Sequence, residues 1–222
     1  MKQPALALEP RMDVPALVEG EIHIWSLRVE RTASARAVGI AARAELERLL
    51  CAYGNVPTPP VIERGPHGKP FAPSLGDLDF NLSHAGHDAL LAFARAQPLG
   101  VDIERFDRRL ATGELARRFF ASDEADALQR LPAEAQQRCF LQLWTQKEAV
   151  LKAFGQGLGF GLNRLAFAIG GDGEVGDLLR IAEVAGRAEE WHLRRLFPGD
   201  DLVAAVAWRG ADRSLRLFMR LP

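Results

Sequence analysis

"LGVDIERF", residues 99–106, is the stretch on which the fold turns, because it sorts two kinds of side chain onto opposite faces of one strand. Successive side chains alternate across a strand, so Val101 and Ile103 share one face while Asp102 and Glu104 share the other. The apolar pair can anchor the strand in a core. The carboxylates must then meet water, a cation or basic side chains, since adjacent negative charges repel. Ligation by oxygen alone, from few protein groups, suits Mg²⁺, which keeps waters and shares its shell with substrate phosphates. A solvated strand edge with Arg105 as counter-charge is the other reading, and this stretch alone does not choose.

Working outward, "DFNLSH" (79–84) and "ALLAFA" (89–94) read as strands upstream, as does "EIHIWSLRV" (21–29) with its alternating Ile22 and Ile24. The alanine-rich segment 33–54 reads as a helix ending at Gly54. Residues 1–20 read as an extended arm. Residues 55–77 form a connection punctuated by Pro and Gly, with at most a short strand from Val61 to Glu63. Downstream, Ser122 is the expected N-cap of a helix with Asp123 and Glu124 in its first turn. The longest helix runs from near Pro132 to Gly155, with Phe140, Leu143, Val150 and Phe154 as its core stripe. Four strand candidates follow, at 165–169, 191–197, 201–208 and 215–221. Each half thus holds a helix and antiparallel-looking strands, with a break near Gln97–Pro98. The expectation is an α+β chain of two similar lobes, 1–98 and 99–222.

Composition narrows the function classes. Lys and Arg total 28 against 29 Asp and Glu in 222 residues, so there is no basic excess to hold nucleic acid. "LVAAVAW" (202–208) is typical of the longest apolar runs and far too short to cross a bilayer. "MKQPALALEP" (1–10) has no sustained apolar region, so no signal peptide is expected. Cys51 and Cys139 lack ligand-spaced partners, which fits free thiols in a reducing cytoplasm.

The segment "WTQKEAVLK" (144–152) puts Trp144, Glu148 and Lys152 along one side of the long helix. By spacing alone, Glu148 and Lys152 are an ordinary exposed ion pair. Lys147 differs: it falls between Leu143 and Val150 on the apolar stripe, a poor place for an ammonium unless its head reaches a polar cleft. "NLSH" (81–84) adds Ser83 and His84 at a strand end, and "ERGPHGKP" (63–70) adds Arg64 and Lys69 in a glycine-rich loop without P-loop spacing. Each signal is weak singly.

Together, in the order Arg43, "RGPHGKP", "FNLSH", "LGVDIE", "RFFASDE" and "WTQKEAVLKAFGQGL", they resemble the 4′-phosphopantetheinyl transferase superfamily, in its longer, monomeric, surfactin-synthetase-activating branch. The resemblance covers roughly residues 36–158. It implies a pseudo-dimer of two α+β lobes with antiparallel sheets and a coenzyme A cleft between them. The implied reaction moves phosphopantetheine from coenzyme A to a serine of an apo acyl or peptidyl carrier protein and releases adenosine 3′,5′-bisphosphate. By position, Asp102, Glu104 and Glu148 would hold Mg²⁺, or Mn²⁺ in its place. Glu148 or Glu104 would help deprotonate the serine, and Lys152, with Lys147 near it, would stabilise the leaving bisphosphate. Arg43, Arg64, Lys69, Ser83 and His84 match nucleotide contacts. Arg117, Arg118 and either Phe119 or Phe120 match a region that meets the acidic carrier. "GQGL" (155–158) stands where relatives often have Gly-Lys-Gly, which removes one phosphate contact. Another Mg²⁺-dependent phosphotransferase or phosphohydrolase is the first rival, and a non-catalytic coenzyme A or carrier-binding protein the second.

Overall fold

The computed structural model describes residues 7–30, 33–107 and 110–220, Leu158 for its backbone only. Residues 1–6 of the expected arm, with the leader question, and residue 221 of the last expected strand lie outside them. The chain runs β1 (Leu8–Arg11), β2 (Glu21–Arg28), α1 (Ala35–Gly54), β3 (Glu63–Arg64), β4 (Pro70–Phe71), β5 (Leu78–Ala85), β6 (Asp88–Arg95) and β7 (Leu99–Arg105). It continues through α2 (Thr112–Phe119), α3 (Ser122–Arg130), α4 (Ala133–Phe154), β8 (Leu165–Ile169), β9 (Val175–Ile181), β10 (Trp191–Leu196), β11 (Leu202–Arg209) and β12 (Ser214–Arg220). This is a mixed α+β fold whose strand pairs are antiparallel except for the two made by β12.

Two sheets face each other. One has the order β1-β12-β2-β6-β5 and the other β10-β11-β7. Period-two alternation explains the layer between them: Ile22 and Ile24 of β2 meet Val101 and Ile103 of β7 and Ala204, Val206 and Trp208 of β11. The opposite face of β2 presents Trp25 to Leu46, Leu49, Leu50 and Tyr53 of α1. On the far side of the second sheet, Val203, Ala205 and Ala207 of β11 pack against α4, with α2, α3, β8 and β9 completing that core. The order through the molecule is helix, sheet, sheet, helix, and β7 lies in one of the two inner layers.

Three local readings are corrected. β12 leaves the second half of the chain and inserts between β1 and β2, parallel to both. A parallel neighbour needs no local turn, so nothing nearby in sequence announces it. β9 breaks the alternation that would reveal it, because its pairing with β8 shifts register twice. The cap of α3 is Ala121, one residue before Ser122: the Glu124 carboxylate accepts the Ala121 amide at 3.1 Å, half of a capping box. α4 ends at Gly155 with φ 75°, a left-handed stop that glycine adopts without strain.

Candidate active site

The site begins with a missing side chain. Gly100, Asp102 and Glu104 share the face of β7 turned toward α4. A Cβ on Gly100 would overlap the Ala149 carbonyl oxygen and the Ala153 backbone nitrogen, so only glycine lets the strand lie directly against the helix. That approach puts Asp102 beside Glu148 and Lys152. Lys152 Nζ donates to Asp102 Oδ1 at 2.7 Å and to the Val101 carbonyl at 3.0 Å. Ser83 on β5 donates its hydroxyl to the same Oδ1 at 2.7 Å. The exposed ion pair that spacing allowed, Glu148 to Lys152, gives way to a pair across elements.

Asp102 is 6% exposed, and its second oxygen, Oδ2, is buried with no hydrogen-bond partner. Glu148 Oε1 is in the same condition. Burial, then the negative charge of Asp102, pushes the Glu148 carboxyl up to about 7; Lys152 opposes the rise and Glu104 adds to it. Glu148 therefore holds a proton near neutral pH, chiefly because it is buried and secondarily because Asp102 stands beside it. Among the described residues, no three His, Cys, Asp or Glu side chains close into a complete ligand cage. Two unpartnered carboxylate oxygens in a negatively charged, buried site nevertheless fit a hard divalent cation that draws its remaining ligands from water and substrate phosphates.

Next to the carboxylates opens a pocket of about 560 Å³. Arg43, Arg64, Ser83, His84 and Lys152 line it, together with Gly39, Ala42, Leu46, Ile62, Pro70 and Leu82. Elements far apart in the chain thus bring five of the expected residues together. Arg43 is held by Glu47, Nε to Oε1 2.6 Å, and Arg64 donates to the Gly68 carbonyl at 3.0 Å. The apolar lining residues carried no separable signal in the sequence, since they look like ordinary core positions.

Two expected nucleotide contacts stand elsewhere. Lys69 is outside the pocket lining: its ammonium donates to both Asp79 oxygens, at 3.0 and 3.2 Å, and to the Leu99 carbonyl at 3.0 Å. Lys147 is a clear correction. It is 0% exposed and points away from the pocket, pairing at 2.7 Å with Glu124 of α3, itself 1% exposed. Its remaining donors go to the carbonyls of Leu162 and Leu165. Burial draws its pKa down to about 8, against the pull of Glu124, which leaves it cationic at pH 7. The polar cleft it needed is a buried carboxylate on another helix. Phe120, likewise, is core: it is 4% exposed and stacks on Phe140 with centroids 5.0 Å apart. Phe119 is half-buried, edge-on to Trp144 at 5.8 Å.

The model of the 4′-phosphopantetheinyl transferase superfamily matches residues 98–207. A 4′-phosphopantetheinyl transferase of Bacillus subtilis is 35% identical over 124 residues, 56% of this chain and 54% of its own length. The Bacillus subtilis transferase Sfp is 37% identical over 109 residues, 49% of this chain and 47% of its own. The Nostoc sp. transferase HetI is 36% identical over 179 residues, which are 77% of this chain and 70% of that protein. The chain belongs to the 4′-phosphopantetheinyl transferase superfamily. It spans about half the length of the two Bacillus relatives. The superfamily model takes in Asp102, Glu104, Glu148 and Lys152, while Arg43, Arg64, Ser83 and His84 lie upstream of it. The part of this chain matched by the superfamily model is therefore the carboxylate half of the site.

Proposed function

We propose that the chain is a 4′-phosphopantetheinyl transferase, a holo-carrier-protein synthase acting on coenzyme A and an apo acyl or peptidyl carrier protein. The observation that supports it best is the convergence of Arg43, Arg64, Ser83, His84 and Lys152 on one pocket beside Asp102 and Glu148. Arg43 and Arg64 offer planar, multidentate donors suited to nucleotide phosphates, His84 adds a ring nitrogen to the lining, and Ser83 links the pocket to Asp102 through its hydroxyl. Asp102, Glu104 and Glu148 would hold Mg²⁺, or Mn²⁺. When bound, the cation offsets the charge of the pyrophosphate and orients it.

The protein's own groups do the rest. Glu148, whose buried carboxyl lies near 7 without a cation, would be held ionised by a bound cation and so able to accept the serine proton, with Glu104 as the other candidate. The serine oxygen forms a bond to the phosphorus of the phosphopantetheine arm as the bond to the adenosine bisphosphate breaks. Lys152 then faces the charge that appears on the leaving group. Residues 1–98 supply the nucleotide contacts in this reading and residues 99–222 the carboxylates and carrier surface. Together they form a pseudo-dimer with coenzyme A in the cleft between its lobes, which the helix–sheet–sheet–helix order supports. One chain carries both halves of the site, so the unit of function is a monomer. It works in the cytoplasm without nucleic acid or membrane. The free thiols of Cys51 and Cys139 suit that compartment, and no helix among the described residues is long and apolar enough to cross a membrane.

The test is intact-mass spectrometry of an apo carrier incubated with the chain, coenzyme A and Mg²⁺. The expected gain is about 340 Da, the mass of the arm delivered by this metal-assisted transfer. Turnover of coenzyme A with no mass gain on a panel of fatty-acid, polyketide and peptide carriers would point to a hydrolase instead.

A further inference from the structure

β7 is the outer strand of its sheet, and such a strand normally leaves its outward N–H and C=O groups to water. Here side chains occupy those of Leu99 and Val101. The Leu99 amide donates to Asp79 Oδ1 at 3.3 Å, and its carbonyl accepts from Lys69 at 3.0 Å. The Val101 amide donates to Asn81 Oδ1 at 2.9 Å, and its carbonyl accepts from Lys152 at 3.0 Å. One step further along, Ser83 donates to the Asp102 side chain. Asp79, Asn81 and Ser83 alternate along β5, so all three project from one face of that strand toward β7. They form a ladder between two sheets that share no backbone pairing there.

We infer that Asn81 is a positioning residue of the transfer site. By accepting the Val101 amide, it sets the register of β7 against β5. That register places Asp102 relative to Ser83 and the nucleotide pocket. Asn81 is 4% exposed and touches none of the pocket, so its contribution acts through β7. A carboxamide suits the position, because it supplies the acceptor without adding a negative charge between Asp79 and Asp102. The role as stated rests on the transferase reading.

The experiment uses the full chain, with Mn²⁺ as a paramagnetic probe of the carboxylates in the presence of coenzyme A. Asn81→Leu keeps the size of the side chain and removes the acceptor. Its Mn²⁺ dissociation constant should rise by about tenfold or more, the range seen when a group supporting metal ligands is lost. Adenosine 3′,5′-bisphosphate affinity should fall by less than Mn²⁺ affinity does, since Arg43 and Arg64 are untouched while Ser83 and Lys152 are shared between the two sites. kcat for an apo carrier should fall with the carrier KM unchanged. Asn81→Asp restores the acceptor and should bring Mn²⁺ affinity back to the wild-type value or tighter. If Asn81→Leu does not fold, Asn81→Ser, too short to reach the amide, is read the same way. A lowered melting temperature with unchanged Mn²⁺ affinity and kcat would overturn the positioning role and leave the transferase reading standing. A wild-type chain that binds Mn²⁺ and coenzyme A but modifies no carrier would overturn both.

Discussion

In protein held free of divalent ions, Glu148 should make stability depend on pH in a direction opposite to most carboxylates. Its pKa lies near 7 in the folded chain, above the ordinary value of 4.5. The folded state therefore binds more protons than the unfolded state between those values, and stability falls as pH rises through that window. Above it the full cost is present, roughly 3 kcal/mol for a rise of this size. Glu148→Gln removes the charge, so it should be more stable than wild type at pH 8 and nearly equal to it near pH 4.5. Urea unfolding at several pH values in EDTA reads this, and a difference that stays constant with pH would refute it. The same variant should lose on the order of 10²-fold or more in kcat, since the group meets charge developing at the reacting centre. The two lysines beside Glu148 make a second contrast. Lys147→Met strands Glu124 in the core and should cost about 3–5 kcal/mol of stability. Adding Glu124→Gln removes the stranded charge but keeps an acceptor for only one of the Ala121 and Phe167 amides, which use different oxygens, so it should recover only part of the loss. Lys152→Ala takes the ion-pair partner from the buried Asp102, so it should also lower stability, by less than Lys147→Met because Lys152 is partly exposed, and should remove transfer.

Helix α2 carries the prediction that belongs to elements. Arg117 and Arg118 are exposed in its last turn, and Arg118 lies over the Phe119 ring at 5.0 Å. Phe119 in turn leans on Trp144, one helical turn before Glu148. An acidic carrier drawn to these arginines would arrive beside the carboxylates. Reversing both charges should slow carrier modification and flatten its dependence on salt, measured as kcat/KM across a salt series. An unchanged salt response would remove the steering role. At this scale much was readable beforehand. Alternation in "GVDIE" places Asp102 and Glu104 on one face, and helical spacing places Glu148 and Lys152 on one side. The oddity of Lys147 was visible, but its partner was not, because Glu124 sits on another helix and only packing brings the two together. Asn81 shows the same limit: its neighbour Ser83 stands out as a donor, whereas an asparagine in a strand is informative only once an edge amide is found opposite it.

For the molecule as a whole, a strand that was legible in sequence but whose neighbours were not ties the first sheet together. β12 pairs with β1 on one side and β2 on the other, and Phe218 is fully buried against Trp25 and His23. Phe218→Ala should cost about 3–5 kcal/mol. It should also weaken nucleotide binding at physiological temperature, read by calorimetry against the unfolding midpoint. An unaltered midpoint would show that β12 is dispensable to the core. The elements themselves were largely foreseeable from periodicity and capping. Their order in the sheets was not, since that order depends on which distant segments bury each other.

β12 also sets a clock. During synthesis, α1, β5 and β6 leave the ribosome long before residues 214–220 do, and until then the slot between β1 and β2 stays open. The nucleotide pocket, built on β5 of that same sheet and on α1 packed against it, therefore matures only after β12 has emerged. The nascent chain should gain its grip on coenzyme A only once β12 has been delivered.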